Sequence, residues 1–182
     1  MEFEFKILDF LQSIRIPILD TTMCFVTKFG NWGIVWIALA VVLLIIPKTR
    51  KSGLIVLVAL IVDIFLCDLV MKNLFVRLRP CDINTTVQLL IPRPDGYSFP
   101  SGHTSSSFAA VTALFLAGEK KIWIPAFVLA ILIGFSRMYL YVHFPTDVLA
   151  GIAVGILSGI IGKFFVNKFA QLRTLKLNKS KN

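Results

Sequence analysis

The side chains able to do chemistry in this 182-residue chain gather in two short stretches. Its two histidines, His103 and His143, fall one in each. Five cations accompany them: Lys72, Arg77, Arg79, Arg93 and Arg137. Lys72 precedes Arg79-Pro80 by seven residues, and a helix running through both places them on one face. Pro100-Ser101-Gly102-His103 reads as a helix start. Proline and glycine shape the turn, Ser101 can cap, and free backbone N–H groups then face an anion. In the second stretch Ser136-Arg137 is followed by His143 and Asp147, with Pro145 suited to a first helical turn. Asp147 can reach back to His143. A carboxylate on one ring nitrogen fixes the tautomer and frees the other as nucleophile or base. Cations converging with helix N-termini suit a phosphate group.

The elements that hold these residues are apolar. Hydrophobic residues make up 57% of the chain and charged residues 16%, and the mean hydropathy is +0.81. An ordinary soluble domain is about 45–50% apolar and about 25% charged. The blocks Trp32–Ile46, Leu54–Met71, His103–Ala117, Ile122–Val142 and Val148–Phe165 read as membrane spans whose polar ends complete the crossing. Residues 2–15 read as an amphipathic helix lying on the membrane, broken by Pro17, with a second short helix over 18–29. The expected fold is therefore an all-α, polytopic membrane bundle of five or six spans with an N-terminal amphipathic helix. It forms one integral-membrane domain over 1–182. Residues 72–147 hold the motifs, 1–29 form an interfacial or broken helix, and 166–182 form a basic tail.

The net charge is +9, yet the basic residues flank apolar blocks instead of covering a soluble face. Nucleic acid is therefore not an expected partner. Lys48–Lys51, Lys120-Lys121 and the tail mark the cytoplasmic side, which puts 72–102 and 137–147 together on the opposite face. Five spans put the N-terminus outside and a sixth crossing within 2–29 puts it inside; both remain open. No cleaved signal peptide is expected, since Glu2, Glu4 and Asp9 replace a basic start. Cys24, Cys67 and Cys81 are odd in number and widely spaced, so neither a disulfide framework nor a zinc site follows.

Other residues have plainer roles. Asp68 sits four residues before Lys72 and neutralises it. Asp63 faces the bundle interior without an evident partner. Arg77 and Arg93 divide between head-group contacts and snorkelling, and stay outside the core site. Gly151, Gly155 and Gly159 form a ladder for close packing within the bundle. Thr104–Ser107 supply small residues for packing. Trp32, Trp36, Trp123, Tyr139 and Tyr141 read as anchors at the membrane interface.

The ordered patterns K-x6-R-P, P-S-G-H and S-R-x5-H-x3-D resemble the type-2 phosphatidic acid phosphatase superfamily of membrane lipid phosphate phosphatases, with no departure. The resemblance spans 72–147, and the surrounding apolar blocks agree with that family's helical bundle. It implies that His143 attacks phosphorus to form a phosphohistidine, that Asp147 orients His143, and that His103 protonates the leaving oxygen and later activates water. It implies that Lys72, Arg79, Ser101, Gly102 and Arg137 hold phosphoryl oxygens. Neither metal nor other cofactor is expected, and the outer loops offer only Asp82, Asp95 and Asp147 as acidic residues. The expected substrate is a lipid phosphate or pyrophosphate at the outer face of the plasma membrane, with undecaprenyl diphosphate first. Phosphatidic acid, phosphatidylglycerol phosphate and diacylglycerol pyrophosphate come second. The rival class, a lipid transporter or a phosphate-binding pseudoenzyme, calls for an incomplete histidine–aspartate set, and the set here is complete.

Overall fold

A computed structural model describes residues 1–179; the last three residues of the expected basic tail, 180–182, lie outside the described residues. All regular structure in the described part is helical. The order is α1 (Glu2–Ser13), α2 (Pro17–Phe29), α3 (Ile34–Ile45), α4 (Arg50–Asp63), a π-helical segment (Ile64–Met71), α5 (Lys72–Phe75), α6 (Pro80–Ile83), α7 (Gly102–Ala117), α8 (Lys120–Tyr139) and α9 (Pro145–Lys179).

Three helical runs are long and apolar enough to cross a membrane by themselves: Pro47–Ile83, which breaks only near its end, then α8, then α9. A fourth crossing arises if α2 and α3, bent by 46° at Asn31–Gly33, act as one span. The expectation of five or six spans is therefore met only in part. The difference lies in α7, whose 16 residues reach ~24 Å. Its first turns carry Thr104, Ser105, Ser106 and Ser107, and Thr104, Ser105 and Ser107 are fully buried. It is the central helix and, Phe115 near its end apart, is largely enclosed by protein, so it needs little lipid-facing apolar surface.

The glycine ladder explains how α7 is enclosed. A Cβ at Gly151 would lie 2.7 Å from the Ser101 carbonyl oxygen, and one at Gly159 would lie 2.6 Å from Thr112 Cβ. Gly155 meets the Ser105 carbonyl oxygen just as closely. Helix α9 thus lies backbone to backbone on α7. Gly162, one turn further on, faces Ala59 of α4 at 2.7 Å, so the stripe winds from α7 to α4 as a 3.6-residue period requires. Asp147, at the start of α9, is thereby fixed beside the start of α7: the Ser101 N–H donates to the Asp147 carbonyl at 3.0 Å.

The two basic loops meet at the other end of the bundle. The Ser52 hydroxyl, after Lys48–Lys51, donates to Glu119, before Lys120, at 2.7 Å. Lys163 donates to the Leu116 carbonyl at that same end, at 2.8 Å.

One expectation is corrected here. Tyr139, Tyr141 and Trp36 are not interface anchors: they are 1%, 0% and 1% exposed. Each polar tip has an internal partner: Asp20 for Tyr139 at 2.7 Å, Asp9 for Tyr141 at 2.8 Å, and Ser107 for Trp36 at 3.0 Å. Helix α1 buries Leu8 and Leu11 and also reaches the bundle through three polar side chains. Glu4, Asp9 and Gln12 bond to Arg77, Tyr141 and the Tyr139 carbonyl, while Phe3 and Phe10 are exposed.

Candidate active site

The π-helical segment ends in α5, and the chain then breaks at Val76, which has φ 46°. A β-branched residue in left-handed geometry is uncommon and stops a helix. The shared helix face expected for Lys72 and Arg79 from their spacing therefore does not form. Lys72 stays on the helix, while Arg79 begins α6 after an extended turn. The two nonetheless reach the same place, because the loop doubles back: the Ser98 N–H donates to the Arg77 carbonyl at 2.8 Å.

A cavity of about 590 Å³ is lined by Lys72, Arg79, Gly102, His103, Arg137 and His143. Its apolar wall is formed by Ile37, Leu60 and Ile64, and Asp63 and Asp68 also line it. Lys72 holds Asp68 at 2.6 Å, as expected. Asp63 is buried and accepts from the Ser105 hydroxyl.

Arg79 is 4% exposed and commits its whole guanidinium. Its Nε donates to the Gly96 carbonyl at 3.0 Å, and its Nη2 to the carbonyls of Asp95 at 3.1 Å and Tyr97 at 3.3 Å. Its Nη1 donates to the Val142 carbonyl and to His143 Nε2, both at 3.1 Å. Arginine has five donors and no acceptor, so Nε2 of His143 must accept. The imidazole proton therefore sits on Nδ1, which lies 3.5 Å from Asp147 Oδ2. Burial drives the His143 pKa down to about 3, against the upward pull of its hydrogen bond to Asp147, and the charges of Arg79 and Arg137 add to the lowering. His143 is thus a neutral base with its lone pair on Nε2, at the cavity wall.

Asp147 is fully buried. Its Oδ2 accepts from the Ser98 hydroxyl and from the Phe144 N–H, the latter at 2.8 Å. Its Oδ1 accepts from Arg77 Nη1 at 2.7 Å. His103 opens α7 from the facing wall, and its Nε2 lies 2.9 Å from Asn31 Oδ1. Arg137 is 3% exposed and gives Nη1 to Thr27 Oγ1 at 2.6 Å. Its Nε has no partner. An orphaned, charged donor on a cavity wall calls for an anion.

Seven of the eight residues singled out by sequence thus come together: Lys72, Arg79, Gly102, His103, Arg137 and His143 on the cavity, with Asp147 behind His143. Ser101 differs. It is fully buried and makes no side-chain cap, and its hydroxyl instead accepts from Thr104 Oγ1 at 3.0 Å. The tight α7–α9 seam turns it inward. Arg93 pairs with Asp82 at 3.0 Å and lies off the cavity lining. Ser98, Asn31 and Thr27 are partners that sequence did not reveal, since each lies in a separate segment with no motif spacing to the residue it contacts. Arg77, expected outside the core site, touches Asp147. The acidic run Glu2, Glu4 and Asp9, with only Lys6 nearby to offset it, was the one sign of a distant cation. Among the described residues no cluster of three or more His, Cys, Asp or Glu could hold a metal.

Comparisons with known proteins agree with this geometry. The PAP2 superfamily model matches residues 52–170. An undecaprenyl-diphosphatase of Sulfolobus acidocaldarius is 36% identical over 151 residues, covering 83% of this chain and 71% of that protein. The crystal structure of Aquifex aeolicus LpxE superposes with a TM-score of 0.76 at 32% identity, covering 87% of this chain and 93% of that one. A PAP2-type phosphatidylglycerolphosphate phosphatase from Bacillus subtilis gives a TM-score of 0.73 at 30% identity, covering 92% and 86%. With a family model matched over 52–170 and relatives above 30% identity aligned over most of its length, the chain belongs to the PAP2 superfamily, a family of membrane lipid phosphatases.

Proposed function

We propose that the protein is a single integral-membrane domain that hydrolyses a phosphate ester or anhydride on a lipid, at the extracytoplasmic face and without a metal. The reaction runs through a phosphohistidine on His143. The observation that carries this reading is the fixed tautomer of His143, with Nδ1 beside Asp147 and the unprotonated Nε2, capped by Arg79, at a cation-lined cavity. Phosphoryl transfer depends on positioning and charge stabilisation, and this site supplies both.

In the first step a phosphoryl oxygen draws Arg79 Nη1 off His143 Nε2, so binding the anion uncaps the nucleophile. Lys72, Arg137 Nε and the free N–H groups of the first α7 turn take the other oxygens. Nε2 forms a bond to phosphorus while the bond from phosphorus to the lipid oxygen breaks. His103, which enters the step protonated beside the bound phosphate dianion, gives its proton to that oxygen. Asp147 stabilises the charge that develops on the His143 ring. In the second step His103 takes a proton from water, the water oxygen attacks phosphorus, and the bond from phosphorus to Nε2 breaks. Inorganic phosphate leaves and both histidines return to their starting state.

Undecaprenyl diphosphate is the leading substrate, supported by the archaeal undecaprenyl-diphosphatase as a relative over most of the chain. A glycerolipid phosphate is the second, supported by the likeness to a phosphatidylglycerolphosphate phosphatase. The apolar wall of Ile37, Leu60 and Ile64 gives either lipid chain a path beside α3 and α4. Two basic loops at the end opposite the cavity support an extracytoplasmic site and a cytoplasmic C-terminus. The test is phosphate release by detergent-purified protein on undecaprenyl diphosphate, diacylglycerol pyrophosphate, phosphatidylglycerol phosphate and phosphatidic acid, beside His143→Ala. Release that vanishes in the variant supports the reading, and the order of rates assigns the lipid. No release from folded wild-type protein on any of the four overturns it in favour of binding or transport.

A further inference from the structure

Beyond the residues that meet the phosphate, three side chains, Arg77, Thr146 and Glu4, close a ring behind Asp147. Arg77 Nη1 donates to Asp147 Oδ1 and to Thr146 Oγ1, each at 2.7 Å. Arg77 Nη2 donates to Glu4 Oε2 at 2.7 Å. The Thr146 hydroxyl donates to the other oxygen of Glu4, Oε1, at 2.5 Å. The guanidinium also lies over the Phe144 ring, with Cζ 4.1 Å from the ring centroid. Phe5 of α1 meets the same ring edge-on at 5.2 Å. Three hydrogen bonds and a ring thus hold the Arg77 head group in one place.

The ring acts on Asp147 from two sides. Arg77 binds Oδ1 directly. Its backbone carbonyl holds the Ser98 N–H at 2.8 Å, and the Ser98 hydroxyl donates to Oδ2. One residue thus secures both oxygens of the carboxylate that orients His143. Arg77 lies just after the left-handed Val76 (φ 46°) that turns the chain out of α5, and backbone strain of this kind persists where surrounding contacts hold it. Glu4 answers the charge of Arg77, so Asp147 keeps its own negative charge for His143. The Glu4 side chain is only 12% exposed and that of Arg77 21%, where an ion pair is screened less than at a free surface. Burial favours the neutral acid at Glu4, but the hydrogen bonds and charge of Thr146 and Arg77 win, and the carboxyl stays below its ordinary range.

We infer that Arg77 is a positioning residue that locks the Asp147 carboxylate against His143 Nδ1–H, and that α1 supplies Glu4 as the clamp that holds Arg77. The first helix of the chain is thus part of the catalytic framework. This rests on the reading of His143 and Asp147 as the nucleophile pair.

Two histidines in the chain make a direct test practicable. Protein labelled with ¹⁵N-histidine, in detergent, reports which ring nitrogen of His143 carries the proton; His103→Asn assigns the signals. The proteins compared are wild type, Arg77→Met, Arg77→Lys and the double variant Arg77→Met/Glu4→Gln, which leaves no buried charge at Glu4 and so guards against simple unfolding. Arg77→Met and the double variant are expected to lose about 10- to 100-fold in kcat, the usual effect of removing a partner of a site ligand, with KM within about threefold. Their His143 spectrum moves from Nδ1–H toward a mixture of tautomers. Arg77→Lys keeps the charge but not the fork, and falls between. A folded double variant with wild-type kcat and an unchanged Nδ1–H signal overturns the inference. If instead His143→Ala retains phosphate release, the nucleophile reading has failed, whatever the spectra show.

Discussion

Gly155→Ala tests whether the α7–α9 seam sets the geometry of the site. The added Cβ would meet the Ser105 carbonyl oxygen, Phe108 Cβ at 2.8 Å and Ala109 N at 2.9 Å. Two of these atoms are backbone and cannot rotate away. Ordinary carbon contacts sit at about 3.5 Å or more, so α7 must retreat from α9 by roughly 0.7 Å. Overpacking of this kind costs about 1–3 kcal/mol. For a chain of this size that lowers Tm by about 2–4 °C per kcal/mol, hence about 2–12 °C in detergent. The seam also separates the two catalytic walls. Helix α7 carries His103, α9 carries Asp147, and the Ser101 N–H bonds across to the Asp147 carbonyl at 3.0 Å. A shift approaching 1 Å between reacting groups costs up to about 100-fold, so kcat is expected to fall about 10- to 100-fold. The assays are phosphate release and a thermal-shift curve on the same preparation. Gly118→Ala is the control: its Cβ meets nothing within 4 Å, but its φ is 86°, so it loses about 1 kcal/mol through backbone strain alone and keeps its activity. Gly155→Ala with wild-type Tm and wild-type kcat would refute the close-packing argument.

Three further outcomes follow from the site. Asp147→Asn keeps the shape but not the charge beside His143, and is expected to lower kcat by about 10⁴-fold with little change in KM; a loss under tenfold in steady-state assays contradicts the role given to Asp147. The His143 pKa lies near 3, below the unfolded value of about 6.5. Above pH 6.5 neither folded nor unfolded chain binds this proton. As pH falls from 6.5 toward 3 only the unfolded chain gains it, so stability drops by about 1.4 kcal/mol per pH unit from this group. The ¹⁵N spectrum of His143 should accordingly stay neutral at pH 5, and an imidazolium signal there sinks this account. EDTA should leave phosphate release intact; loss restored by an added divalent cation refutes the metal-free mechanism.

Much of the site was legible because its motifs encode local turns. Pro100 to His103 announces a helix start, and Arg137, His143 and Asp147 are close enough in sequence that a single buried turn and the first turn of α9 join them. The glycine ladder also pointed correctly to packing inside the bundle. What failed depended on distant contacts. The K-x6-R-P spacing suggested one helix face, but Val76 breaks the helix and a doubled-back loop brings Arg79 to the cavity instead. Tyr139 and Tyr141 look like interface anchors by composition, since an aromatic ring with a polar tip suits both a membrane boundary and a buried hydrogen bond. Asp20 and Asp9, more than a hundred residues earlier, decide the matter. The same holds for Arg77, whose partners Glu4 and Asp147 stand 73 and 70 residues away.

The central claim is that His143 carries the phosphoryl group. Rapid quenching of the enzyme with undecaprenyl diphosphate bearing ³²P in its terminal phosphate tests it most directly. The account predicts label on the protein that survives alkali, is released by acid, maps to the peptide holding His143, and is absent in His143→Ala. Label elsewhere, or full turnover by His143→Ala, would contradict it.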